Sequence, residues 1–234
     1  MDFLPNISPL SAPFDFDQHY GLSVDLQMFG NDQLNDCVIA ARAHHTIRLV
    51  WAKSRSPVNI TLDNVKDEYH FETGTNDPTD GLDLGTSINR WLQRGWSYGD
   101  ISVAPTLMHK IDGFHGPCKI DGATLPVDNP VDVLTVEQLQ VGICTNAGAQ
   151  VNLMLPFAVG FSKPNSYGPA NIWTDTNDSS GDLHVMLLTG YDVDPQTNLD
   201  SFSGITWAKK QSMTWAFLQT HCWGVFFIEP GEDT

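Results

Sequence analysis

The chain has 234 residues, 41% hydrophobic and 10% aromatic, which suffices for one substantial core or two lobes sharing a cleft and is too apolar for a disordered chain. A formal charge of −16 with only 12 lysines and arginines excludes a surface built for nucleic-acid phosphates or for anionic membrane, and is compatible with a cationic substrate. No apolar run is long enough to span a bilayer, and Met1–Pro5 lacks the basic and apolar regions of a signal peptide.

The four cysteines, Cys37, Cys118, Cys144 and Cys222, are widely spaced, unlike a disulfide framework. The expectation is therefore synthesis in a reducing cytosol. Export by a route that needs no signal, such as phage lysis or packaging into a phage particle, stays open.

Residues 1–29 mix proline, aspartate and aromatics without helical periodicity and read as an extended arm lying across the fold. Residues 30–234 read as one domain, with a helical half over about 30–148 and a strand-rich half over about 149–234. A polar, turn-rich stretch, Gly30–Asp36, runs straight into Cys37. That cysteine opens an alanine-rich helix to about Lys53, with Ile39, Ala43, Ile47 and Val50 at helical spacing and Asn35 or Asp36 as its N-cap. A helix N-terminus presents unpaired N–H groups and partial positive charge, so a thiol placed there ionises more easily.

A second helix is expected from a Thr61 cap to about Phe71, then a loop over 73–85 in which Asp77, Asp80 and Asp83 are turn residues. A third helix follows, from Thr86 to about Arg94, ended by Gly95. Short strands and turns fill 101–128, a helix is expected over 136–146, and a strand over 150–160. His184–Tyr191 is nearly all apolar, as expected of a strand buried on both faces. A turn over 192–200, a strand through Ile205–Trp207, a short helix over 214–222 and a strand at Val225–Ile228 complete the chain. Early helices and late antiparallel strands indicate an α+β fold with a cleft between the halves.

A thiol needs a base to become a nucleophile, and His184 lies about 150 residues downstream of Cys37, at the start of the apolar strand. Further segments agree: Thr79-Asp80-Gly81 leading into Trp91–Gly95, Val151–Pro156 before the histidine, and Thr206-Trp207-Ala208 after it. Together these cover most of the chain from about residue 30 and resemble the papain-like cysteine peptidase superfamily. In particular they are similar to a largely uncharacterised bacterial and phage group with a Gly-Asn-Asp…Gly-Asp-Cys signature.

The resemblance implies a papain-like fold in which the nucleophile helix packs against a C-terminal antiparallel sheet. It implies a hydrolase that cleaves a peptide or amide bond of a protein or peptide substrate, without cofactor or metal. Cys37 would be the nucleophile and His184 the base. Asn31, six residues before the cysteine, would replace the oxyanion-hole glutamine, with Gln33 as the nearby alternative and the Cys37 N–H as second donor. The same residues would serve an acyltransferase or deamidase.

Three positions depart from the family pattern. Asn35 stands where a glycine is expected two residues before the cysteine, and Ala208 stands for the glycine after the tryptophan. The asparagine that orients the histidine maps near Ile205 or Thr206. The Thr206 hydroxyl could take its place, and Asp194, Asp200 and Gln211 are alternatives. Asp36, beside Cys37, would raise the thiol pKa by its charge. These departures sustain a second expectation, a degenerate papain-like scaffold that binds a partner or belongs to a phage particle.

Cys118, Cys144 and Cys222 read as buried small hydrophobes, and His44 and His45 as structural or exposed imidazoles. His109, His115, Cys118 and Cys144 have loosely metal-like spacing without a paired-ligand element. Thr174–Asp182 fails the EF-hand pattern, with Ser180 at its glycine position and Met186 at its terminal glutamate, and reads as a polar loop. Tryptophans 91, 96, 207, 215 and 223 read as core and cleft walls.

Overall fold

Side-chain caps set where most helices begin in the computed structural model, which describes residues 12–99, 107–156, 172–174, 181–193 and 200–231. After β1 (Phe14–Asp15), Asp15 accepts a hydrogen bond from the Gln18 amide and starts α1 (Phe16–Tyr20), which Gly21 ends at φ 64°. This helix lies where the sequence suggests an extended arm, because five residues are too few to show a helical period. Residues 1–11 of that arm lie outside the described residues.

α2 (Cys37–Ser54) follows with Asp36 in the N-cap position but without a side-chain cap bond. α3 (Leu62–Thr73) opens with a reciprocal capping box between Thr61 and Asn64, and α4 (Leu84–Arg94) with Asp83 capping the Thr86 amide. Asp83 is thus a cap as well as a turn residue. Next come β2 (Trp96–Tyr98), β3 (Leu107–His109), β4 (Gly113–Ile120) and β5 (Val133–Leu134). α5 (Val136–Thr145) has a second capping box, Thr135 with Gln138. β6 (Ala149–Pro156), β7 (Ile172–Trp173), β8 (Gly181–Val193), β9 (Asp200–Thr206), β10 (Lys209–Thr214), α6 (Trp215–His221) and β11 (Cys222–Glu229) complete the order. The sequence-expected segments at 101–106 and 157–160 fall outside the described residues.

The nine-stranded sheet runs β5-β4-β11-β6-β8-β9-β10-β7, with β1 attached to β8. Most pairs are antiparallel, but β4–β5 and β10–β7 are parallel. Strands from residues 113–134 therefore extend one edge of a sheet whose other large members come from the C-terminal third. β8 is the central element: residues 185–191 are buried throughout, and both α2 and α5 pack on it. β9 and β10 form a hairpin in which Thr206 pairs with Lys209, so Trp207 and Ala208 make the whole turn. Both have positive φ, 45° and 56°. Two successive left-handed residues match the twist of a tight hairpin but cost about 1–2 kcal/mol each without glycine.

The arginines on the polar side of α2 in the sequence pattern are buried. Arg42 contacts Glu68 Oε1 and Glu72 Oε1, each at 2.7 Å, and donates to the Ser87 carbonyl at 2.8 Å. Arg94 also pairs with Glu68. Arg48 donates to Asp17 at 2.6 Å. The first network ties α2, α3 and α4 together, and the second ties α2 to α1. Removing one partner strands a buried charge, so Arg42→Ala should lower the unfolding free energy by about 3–5 kcal/mol in urea denaturation.

Candidate active site

A tight turn precedes the segment that leads into Cys37. Asn31 donates its amide to the Met28 carbonyl at 3.1 Å across Phe29 and Gly30, whose φ values are 54° and 89°. A Cβ at Gly30 would come within 3.0 Å of Asp36 Oδ2 and 3.2 Å of Leu62 Cδ1, so glycine serves both conformation and space here. The positive-φ pair before Cys37 is therefore Phe29–Gly30. Asn35 is not among the residues with positive φ. Its amide donates to Pro78 O at 2.8 Å and its side chain to Thr79 O at 3.2 Å, which ties the segment before Cys37 to the 78–79 loop.

Asp36 points inward instead of capping α2. It is fully buried, and neither carboxylate oxygen has a hydrogen-bond partner. Burial raises its pKa to about 8, the polarity of its own backbone N–H opposes this, nearby Asp32 adds to the rise and Lys66 reduces it. Near neutral pH it is mostly protonated. The adjacent Cys37 thiol is 9% exposed, and burial pushes it up to about 11. The backbone at Val185 pulls it down and the Asp36 charge pushes it up.

His184 is 2% exposed, and burial pushes its imidazole down to about 3. Its Nε2 lies 2.6 Å from Thr206 Oγ1, and the Trp207 ring stacks on it at 4.5 Å between centroids and 20° between planes. Thr206 ends β9 and Trp207 begins the hairpin turn, so one short segment supplies both contacts. Sequence pattern singled out Thr206; the stacking partner was visible only as the tryptophan of the same tripeptide.

Asn31, Cys37, Asp83, Asn152, His184 and Trp207 line a common cleft of about 840 Å³. Among the described residues its other charged wall residue is Asp182, and no lysine or arginine lines it. Asp83 and Asn152 also border a neighbouring pocket of about 370 Å³ walled by Phe114, Pro117, Trp223 and Phe226. Neither Asp83 nor Asn152 stood out in the sequence. Helix-cap chemistry could have placed the first, and nothing local could have placed the second.

Other candidates lie elsewhere. Gln33 is exposed and is not among the residues lining the cleft. Gln211 donates to the Ser212 carbonyl, Asp200 starts β9, and Asp194 is outside the described residues. His44 and His45 are buried, not exposed, and burial lowers both to about 3. His45 contacts Asn146 O at 2.8 Å, His109 accepts from Trp91 Nε1 at 3.1 Å, and His115 pairs with Asp132. Cys118 and Cys222 are buried, while Cys144 is half-buried beside the Tyr191 hydroxyl. Among the described residues no group of three or more His, Cys, Asp or Glu is placed to hold a metal ion, and no helix is long and apolar enough to cross a membrane. Residues 175–180 of the calcium-like stretch lie outside the described residues. Trp91 and Trp96 are core, and Trp207 is a cleft wall.

No protein-family model and no curated protein matches the sequence. Solved structures do match the fold. The cysteine protease and lectin-like domains of Cwp84, a surface layer associated protein of Clostridium difficile, align over 97% of this chain at TM-score 0.66 and 10% identity. Digestive procathepsin L 3 of Tenebrio molitor larval midgut aligns over 98% at TM-score 0.64 and 13% identity. The chain has the papain-like fold. Xylellain, a cysteine protease from Xylella fastidiosa, aligns over 98% of it at TM-score 0.57 and 13% identity. The papain-like region described here spans 53% of the Cwp84 chain, 73% of the procathepsin chain and 87% of the xylellain chain.

The buried carboxyl beside the thiol has a thermodynamic signature. Asp36 binds its proton more tightly folded than unfolded, so its contribution to stability falls as pH rises from its ordinary value of 3.8 through about 8. Asp36→Asn should therefore raise Tm increasingly over that window and level off above it, each kcal/mol relieved adding about 2–4 °C. Thermal melts across pH 4–9 test this, with an unchanged difference between the two proteins as the contrary result.

Proposed function

We propose that the protein is a papain-like cysteine hydrolase that cleaves a peptide or amide bond of a protein or peptide substrate. The observation that carries this reading is the 2.6 Å contact between His184 Nε2 and Thr206 Oγ1, in a cleft that Cys37 and Asn31 also line. With Nε2–H donated to Thr206, Nδ1 is the ring nitrogen that exchanges a proton with the Cys37 thiol.

Cys37 Sγ attacks the substrate carbonyl as its proton passes to His184. The Asn31 carboxamide and the Cys37 amide donate to the developing oxyanion. His184 then returns the proton to the leaving amine, and water hydrolyses the thioester. Burial moves both partners away from ionisation, which supports proton transfer during attack instead of a preformed thiolate–imidazolium pair. Asp83 and Asp182 on the cleft walls favour substrates with basic side chains beside the scissile bond.

The neutral resting state also favours a second reading, a catalytically silent scaffold that uses the same cleft to bind a partner. Cysteine alkylation by iodoacetamide, followed by mass spectrometry, separates the two. Under the hydrolase reading His184→Ala slows labelling of Cys37 at pH 7 by about tenfold or more, through loss of the base, and leaves the other three cysteines unchanged. Cys37→Ala likewise abolishes turnover of an amide library. Labelling of Cys37 that ignores His184 would support the scaffold.

A further inference from the structure

Behind the cleft wall lies a second, enclosed space between α2, the Gln27–Asn31 segment and the Ile205–Trp207 segment. Cys37, Asn31, His44 and Thr206 line it, with Ala40 and Ala41 along its helical side. Its volume of about 10 Å³ is room for about one water molecule. His44 reaches it because it follows Cys37 by two helical turns and so shares a face of α2 with the nucleophile.

The His44 ring is 3% exposed. Its Nε2 faces the Gln27 carbonyl at 3.1 Å, so that nitrogen carries the hydrogen and donates it. Nδ1 is then a bare acceptor, buried and without a hydrogen-bond partner. Burial, aided by the Arg48 charge, keeps the ring neutral, with its pKa lowered to about 3. A buried acceptor left unsatisfied costs about 1–3 kcal/mol, so its surroundings favour a donor. With His184 Nε2–H as the donor, Thr206 offers the complementary need: its oxygen accepts from that nitrogen, and its own hydroxyl proton is directed elsewhere.

We propose that His44 is a positioning residue for His184, acting through one water in this chamber and the Thr206 hydroxyl. The water donates to His44 Nδ1 and accepts the Thr206 O–H. A hydroxyl that gives its proton onward is a stronger acceptor, so Thr206 holds the His184 N–H as a carboxamide oxygen would. The role of His44 rests on the reading of His184 as the base, but the hydrogen-bonded relay itself does not.

The test uses the full chain with 15N-labelled histidine and follows solvent exchange of the His184 Nε2–H by NMR. His44→Leu removes the acceptor, whereas His44→Asn keeps a carboxamide oxygen near the Nδ1 position. Both lose the Gln27 contact, so damage from that loss affects them alike. Exchange should quicken about three- to tenfold in His44→Leu, the worth of one net hydrogen bond, and return most of the way to wild type in His44→Asn. Equal behaviour of the two variants, or no change in either, overturns the relay. Should His44→Leu fail to fold, Thr206→Val leaves His44 untouched: the His44 Nδ1 resonance must move when that hydroxyl is removed, and a fixed resonance overturns the proposal. Alkylation of Cys37 in His184→Ala separately judges the base. A relay that persists while that rate is unchanged means the hydrolase reading has failed and the relay has not.

Discussion

The close approach of α2 to β8 is the constraint from which the rest of this site follows. Ala40, Ala41 and Ala43 are buried on the helix, and the first two meet Val185 and Ile205 of the sheet around the inner chamber. Small side chains let the helix backbone come near the strands, which brings Cys37 at the helix start to the wall that carries His184. The same closeness strips both groups of water. Burial then drives the thiol up and the imidazole down, so the packing that brings both residues to one cleft disfavours the charged form of each.

Two features push against this penalty and one adds to it. The start of α2 and the backbone at Val185 favour the thiolate, while an ionised Asp36 opposes it. Asp36 is itself mostly protonated near neutrality because it lies among Gly30, Leu34 and Leu62, without a hydrogen-bond partner. Its repulsion of the thiolate is thus largely suppressed at neutral pH and grows on the alkaline side. His184 in turn meets the Thr206 hydroxyl at 2.6 Å and the Trp207 indole stacked over its ring. The site is neither a faithful copy of the pattern it resembles nor a dismantled one.

What was legible in the chain was local. The Thr61 cap marked α3, the apolar run after His184 marked β8, and the loop before Cys37 was readable from its turn residues. What was hidden depended on partners distant in sequence. Nothing near Gly113–Ile120 says that β4 will lie beside β11, and nothing near Arg42 says that Glu68 and Glu72 will enclose it. The positive φ before Cys37 belongs to Phe29–Gly30 and not to Asn35, which is tied to the 78–79 loop. In the sequence His44 reads only as a structural or exposed imidazole. Its place on the same face as Cys37, below the sheet, is what brings it to the chamber.

The hairpin between β9 and β10 carries a consequence for how this sequence can change. Thr206 is the last paired residue of one strand, and Trp207 and Ala208 are the entire turn. Side-chain direction alternates with every residue of a strand, so inserting or deleting one residue here would turn Thr206 to the opposite face and swing Trp207 off the imidazole. Substitutions at these positions alter the strength of the contacts, but a change of length abolishes them together. Among divergent relatives, chemistry at this corner can therefore drift while its spacing stays fixed, and alignment gaps should accumulate in the loops flanking the hairpin and not within it.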